Sequence, residues 1–264
     1  MTEAALAGRV AVVTGASRGI GASIARLFAA EGARVVVAAR TVSAGESRLP
    51  GTISDVVADI RAAGGEAVAV RADLSDVDDR VRLINSATEA FGAPDILVNN
   101  AAVTYFTRVE DFTLKRLTLM FEVQVTAPVH LAQLVLPQMR QRGYGWILNI
   151  SSRAALHPTL PPTARSTRGG TVYGMCKAAL ERFTTGLAAE EYASGVAVNA
   201  LSPNRVVPTP GTLFHNLTAE NDPDAEQPAV MAAAALALCR EPASALSGRI
   251  AYSQDLLTEL GIGV

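Results

Sequence analysis

Two hydrophobic rhythms alternate along this chain. Short apolar runs rich in valine and isoleucine fit strands buried on both faces; they occur at Val10 to Thr14, Arg34 to Ala39, Ala67 to Arg71, Ile96 to Asn99, Trp146 to Ile150, Val196 to Leu201 and Arg249 to Tyr252. Between them apolar residues recur every three or four positions, which predicts helices over Gly19 to Glu31, Thr52 to Ala63, Val77 to Phe91, Leu114 to Gln141, Val172 to Tyr192 and Pro228 to Arg240. This alternation calls for an α/β fold: a Rossmann-type doubly wound parallel sheet of about seven strands with helices on both faces. No repeat or linker-like stretch divides the chain, so residues 1–264 are expected to form a single domain. The rhythm breaks at Ser43 to Gly51, at 154–170 and at 202–228, the last two rich in proline. Long connections at the carboxyl ends of strands tend to carry function, so 154–170 and 202–228 are the expected rim of a site.

The first break between rhythms is the sharpest. In "TGASRGIG", Thr14 to Gly21, a strand passes into a helix through three glycines. Gly15 suits a tight turn, Gly19 a close approach of ligand to bare backbone, and Gly21 close packing of helix on strand. The unpaired N–H groups at the helix start attract phosphate, so the candidate ligand is a nucleotide diphosphate.

Bulk properties narrow the partners. A net charge of −2, from 23 basic and 25 acidic residues, offers no field for nucleic acid or an anionic membrane, and small molecules are expected instead. Met1 to Gly8 lacks the pattern of a secretory signal, and the tract Ala232 to Leu238 is too short to span a bilayer, so a cytoplasmic protein is expected. Cys176 and Cys239 have no metal-ligand spacing and read as buried free thiols, with no structural metal.

The reactive groups lie farther along. Tyr173 and Lys177 are four apart on a predicted helix and share one face, where an ammonium would draw the phenol pKa down from about 10 toward neutrality. That suits a proton donor to a developing alkoxide. Alone, the pair is also what an ordinary solvated helix carries. Ser152 strengthens it, because it ends the strand whose carboxyl edge faces the same crevice as the glycine-rich turn.

Taken together, "TGASRGIG", "NNAA" (Asn99 to Ala102), "NISS" (Asn149 to Ser152) and "YGMCK" (Tyr173 to Lys177) resemble the short-chain dehydrogenase/reductase family, in the family's order and over most of the chain. The segments "RLPGTISDVVADIRAAGGEAVAVRADL" and "SGRIAYSQDLLTELG" further resemble its hydroxysteroid dehydrogenase-like subgroup. The resemblance implies Tyr173 as general acid or base, Ser152 as hydrogen-bond donor to a substrate carbonyl, and Lys177 as holder of the nicotinamide ribose. It implies a cofactor site of Gly15, Ser17, Arg18, Gly19, Ile20, Gly21, Arg40, Asp73, Leu74, Asn100, Ala101, Tyr173, Lys177 and Val206. Arg40 stands where an acidic residue would bind the adenosine ribose hydroxyls, and with Arg18 it implies a clamp on a 2′-phosphate, hence NADP(H). A homodimer or homotetramer is implied as well.

Three departures matter. Ala102 replaces a glycine beside the cofactor. Ser152 and Tyr173 are 21 positions apart (173 − 152), about eight more than is common, and the extra residues enter the rim as a wall, a lid or an assembly contact. Gln124 replaces an asparagine that kinks its helix and supports a water-linked proton path to the lysine. Either Gln124 rebuilds that relay by its longer reach, or the helix stays regular and Tyr173 is reprotonated by another route. The stripe Leu131, Leu134, Val135 and Met139 reads as core packing or a dimer face. Val103, Thr104, Phe106, Leu156, Leu160, Val207 and Phe214 are expected to line an apolar substrate pocket. The leading reading is an NADP(H)-linked oxidoreductase acting on a carbonyl or alcohol; the alternative is a catalytically weak NADP(H)-binding regulatory protein, motivated by Gln124 and the insertion.

Overall fold

The structure is a computed structural model, and it describes residues 4–163 and 167–263. Seven parallel strands form one sheet: β1 (Val10–Thr14), β2 (Arg34–Ala39), β3 (Glu66–Arg71), β4 (Ile96–Asn99), β5 (Gly145–Ile150), β6 (Val196–Ser202) and β7 (Ile250–Tyr252), in the order β3-β2-β1-β4-β5-β6-β7. Each expected strand is present within a residue or so of its predicted bounds.

Successive side chains on a strand point to opposite faces, and this splits the core in two. Ala11, Val13, Val35 and Val37 face α1 (Gly19–Ala30), α2 (Ile53–Ala62), α8 (Pro228–Arg240) and α9 (Ser253–Glu259), where Phe28, Ile53, Met231 and Leu256 are buried. Val12, Val36, Leu97 and Ile147 face α3 (Val77–Phe91), α5 (Ala127–Arg142) and α6 (Thr171–Glu191) through Leu83, Leu131, Met139 and Leu187. Each such buried side chain contributes roughly 1.5–3 kcal/mol relative to exposure. The edges are blunted: β3 buries only Ala67 and exposes Glu66, Ala69 and Arg71, and β7 is three residues long. The stripe Leu131, Val135 and Met139 is core, with Leu134 packed at its margin.

Two expectations are corrected here. The helix foreseen over Leu114 to Gln141 is not regular: α4 (Leu114–Phe121) passes through a π-helical turn, Glu122–Thr126, into α5. The run Leu114–Arg142 is also long and apolar enough to cross a membrane by length and composition, which Ala232 to Leu238 is not. Its apolar residues Met120, Leu131, Val135 and Met139 are buried against this protein's own core, as in a core helix. A short helix not foreseen, α7 (Pro210–Phe214), breaks the 202–228 connection.

The order reverses between β1 and β4, so their carboxyl ends diverge and open a crevice. All strands being parallel, Thr14, Ala39, Arg71, Asn99, Ile150 and Ser202 end on one edge of the sheet.

Candidate active site

The floor of the crevice is a backbone joint between β1 and β4. Thr14 Oγ1 donates to Val98 O at 3.1 Å and accepts from the N–H groups of Asn100 and Ala101 at 3.0 and 3.2 Å. Asn100 Nδ2 returns to Thr14 O and Gly15 O at 2.9 and 3.1 Å. The glycines follow from this crowding: Gly15 sits at φ +64° with its would-be β-carbon 2.7 Å from Ala101 Cα, and a β-carbon on Gly21 would overlap Asn100 Nδ2. Arg18, at the N-cap of α1, has an extended backbone and no side-chain capping bond, and no acidic residue occupies the first turn. The N–H groups of Gly19, Ile20 and Gly21 are thus at an uncapped helix start, which fits a diphosphate.

Arg18 and Arg40 stand beside this turn. Arg18 donates from Nε to Ser17 Oγ (3.1 Å), from Nη1 to Ser47 Oγ (3.3 Å) and from Nη2 to Thr41 Oγ1 and Gly51 O (3.0 Å each). Each of these acceptors is neutral. Burial, then the nearby Arg40 charge, holds the Arg18 pKa below its usual value. Arg40 lies 4.0 Å from Asp73, in a mostly exposed pair. Asp73 also accepts from the Ser75 N–H and hydroxyl; burial opposes its ionisation, but these bonds with Arg40 and Arg71 hold its pKa below the ordinary value. Two guanidiniums whose charge on the Arg18 side meets only hydroxyls and a carbonyl fit a phosphate.

The reactive groups meet at the ends of β5 and α6. A buried polar ladder fixes that helix on the sheet: Asn99 Nδ2 donates to Asn149 Oδ1 (2.9 Å), Asn149 Nδ2 to Thr184 Oγ1 (2.9 Å), and Thr184 Oγ1 to Leu180 O (2.8 Å). Tyr173 is hydrogen-bonded to Ser152. Lys177 is buried, donates from Nζ to Ile150 O at 2.8 Å and lies 5.6 Å from the Tyr173 ring centre. The pKa reading from sequence is corrected. Burial raises the Tyr173 phenol above its usual value, opposed by the Ser152 bond, and burial lowers Lys177 to about 8. Desolvation is the largest cause for both groups, and Nζ is directed at the Ile150 carbonyl. Tyr173 therefore keeps its proton at neutral pH, as a donor must.

Gln124 lies buried in the π turn, so the regular-helix alternative fails. Its Nε2 donates to Val103 O at 2.9 Å, and its Oε1 is buried with no hydrogen-bond partner among the described residues.

The rim is partly as expected. Phe106 meets Tyr173 edge-on at 5.9 Å, and His215 meets both Phe106 and Phe214 at 5.3 Å. Leu156, Leu160 and Phe214 are more than half exposed, Thr104 is half-buried, and Val103 packs beside Met120. Val207 does not line the pocket; it is buried in the core. Residues 164–166 of the insertion lie outside the described residues, while Thr107 N donates to Gly169 O at 3.2 Å and ties its far end to the segment after β4. Val206 lies in the connection after β6, with its carbonyl accepting from Glu226 N–H at 3.0 Å. A cleft of about 670 Å³ opens between Pro50 on one side and Pro208, Pro210, Phe214 and Gln227 on the other. Leu74 is buried in the connection after β3.

Several residues escaped the sequence reading. Ser47 and Thr41 hold Arg18, Thr209 places its methyl against Gly19, and Glu181 accepts from Ser151 Oγ at 2.6 Å one turn beyond Lys177. The i, i+4 spacing of Lys177 and Glu181 was a usable signal for the last; the others depend on loop paths.

The parallel sheet, the crevice at its reversal and the glycine-rich turn go with a family match: the chain belongs to the short-chain dehydrogenase family, whose model matches residues 9–217. Among relatives, it is 32% identical over 257 residues to hydroxysteroid dehydrogenase-like protein 2 of Xenopus laevis, covering 97% of this chain and 59% of that one; it spans about three-fifths of that relative's length. Among solved structures it resembles a putative dehydrogenase of Xanthomonas campestris, with TM-score 0.83, 33% identity and coverage of 97% and 90%. It also resembles a 3-oxoacyl (acyl-carrier-protein) reductase of Agrobacterium tumefaciens with NADP bound, with TM-score 0.79, 30% identity and coverage of 95% of each chain.

Proposed function

We propose that the protein is an NADP(H)-dependent oxidoreductase that interconverts a carbonyl and an alcohol on a small, largely apolar substrate, with residues 1–264 acting as one dinucleotide-binding domain rimmed by 154–170 and 202–228. The observation that carries the reading is the Ser152–Tyr173 hydrogen bond with Lys177 buried on the same helix face, at the mouth of the β1/β4 crevice. NADP-bound relatives of the same fold, such as the Agrobacterium reductase, support the cofactor.

When bound, NADPH supplies the hydride. Gly19, Ile20 and Gly21 receive the diphosphate on their N–H groups; Arg18 and Arg40, with the hydroxyls of Ser17, Thr41 and Ser47, receive the 2′-phosphate. Asn100 and Ala101 shape the floor, Asp73 and Leu74 border the adenine, and Val206 borders the nicotinamide. A substrate carbonyl oxygen seated between Ser152 Oγ and Tyr173 Oη takes its hydrogen bond from Ser152 and its proton from Tyr173. Lys177 holds the ribose and keeps positive charge beside the phenolate that results. Gln124 Oε1, a buried acceptor with no hydrogen-bond partner among the described residues, would hold a water through which a proton returns toward Lys177. Assembly as a homodimer or homotetramer in the cytoplasm belongs to the same proposal.

Purified protein with NADPH, assayed against ketones, quinones and acyl thioesters, tests this. Turnover with NADPH favoured over NADH supports it. Tight NADPH binding with no turnover across the panel overturns it in favour of a regulatory NADP(H)-binding protein.

A further inference from the structure

The turn that presents Gln124 is braced from a side the reaction does not use. Arg80, in the first turn of α3, has only 3% of its side chain exposed. Its Nε donates to Leu74 O at 2.9 Å, and its Nη2 pairs with the carboxylate of Glu122. Glu122 opens the π turn, and its carbonyl accepts the Ala127 N–H, the i to i+5 bond that makes the turn wide. The same residue thus makes both the π-type backbone bond and the ion pair. Two positions on is Gln124, with its buried unpartnered Oε1, and Val125 packs in a small cluster with Met120, Cys176 and Tyr173.

Glutamine and valine at 124 and 125 give no local reason for a π turn, and such turns are rare, appearing mostly as single-turn bulges at functional sites. A tertiary contact must hold this one. A buried guanidinium is itself costly unless paired, so Arg80 and Glu122 are locked together by desolvation and attraction at once. The other end of Arg80 grips the connection after β3, where Leu74 borders the adenine position.

We propose that Arg80 and Glu122 are positioning residues: the pair clamps the π turn to the β3–α3 connection and fixes the depth at which Gln124 Oε1 is offered, linking the adenine wall to the proton relay. This inference rests on the reading of Gln124 as a relay group.

Amide hydrogen exchange tests the clamp without any substrate. In Glu122→Gln, exchange across residues 120–127 should accelerate by roughly tenfold or more, while β4 and β5 remain protected; unchanged exchange across the turn overturns the clamp. Turnover tests its purpose. Glu122→Gln should lower kcat by roughly tenfold with NADPH affinity within about twofold, and adding it to Gln124→Ala should cost nothing further. Losses that multiply in the double variant, or normal kcat in Glu122→Gln while Gln124→Ala is slow, overturn the inference. Normal kcat in Gln124→Ala overturns the relay reading itself. Arg80→Met should reproduce the Glu122→Gln exchange pattern; should it fail to fold, Glu122→Gln, which keeps an uncharged acceptor for Arg80, still decides the matter.

Discussion

At the crevice floor, Thr14 and Asn100 join β1 to β4 through their side chains and neighbouring backbone, and every participating group is buried or half-buried. At the rim, Leu156, Leu160 and Phe214 stand more than half exposed on proline-rich connections, and residues 202–228 are held by side-chain bonds that include a buried carboxylate and Asn204. Glu226 accepts from Ser253 Oγ and from Asn204 N–H at 3.0 Å, and burial raises its pKa while these bonds oppose the rise. On the proposed function the floor answers to a ligand with fixed chemistry, a diphosphate and a ribose, which suits a joint built around backbone groups. The rim answers to a substrate, and its residues are side chains on loops, where exchange of one for another leaves the sheet intact.

The contrast can be broken at its strongest point first. Tyr173→Phe keeps the ring against Phe106 but removes the proton, so turnover should fall by roughly two to four orders of magnitude with NADPH binding unchanged, as steady-state kinetics and titration will read. Near-normal turnover would remove Tyr173 as the acid. Next, Arg40→Asp puts a carboxylate beside the phosphate position, and NADPH affinity should drop by roughly 10- to 100-fold while NADH affinity holds. Equal losses for both would mean that Arg40 reads no phosphate.

A smaller effect concerns pH. Lys177 has its pKa lowered to about 8 by burial, whereas Tyr173 is raised, so above pH 8 the lysine loses its charge while the tyrosine keeps its proton. The kcat/KM for carbonyl reduction should therefore decline above pH 8, approaching roughly tenfold per unit. A flat profile between pH 7 and 10 would detach Lys177 from the chemistry. Smallest is the rim: shortening 154–170 by about eight residues should shift substrate KM several-fold and leave NADPH affinity alone. Unchanged selectivity with lost self-association would move the insertion from substrate to assembly.

The same division governed what could be read from sequence. Glycines at 15, 19 and 21, the Asn99–Asn100 pair and the Tyr173–Lys177 spacing are local patterns imposed by backbone geometry, and each landed on the edge it implied. Val207 was misplaced because a valine's side of a loop follows from the loop's path. The π turn was invisible because nothing between Phe121 and Ala127 breaks a helix; Arg80, distant in sequence, supplies the reason. The direction of the Tyr173 pKa was misread because charge spacing is visible in a sequence and desolvation is not.

Thr209 rests its methyl group directly over Gly19, and its own position is fixed by a capping box in which Thr209 and Thr212 exchange side-chain and backbone bonds. On the proposed function a dinucleotide lying along the glycine-rich turn would meet Thr209 at its edge, so a bulkier side chain at 209 should crowd that turn while leaving the sheet untouched.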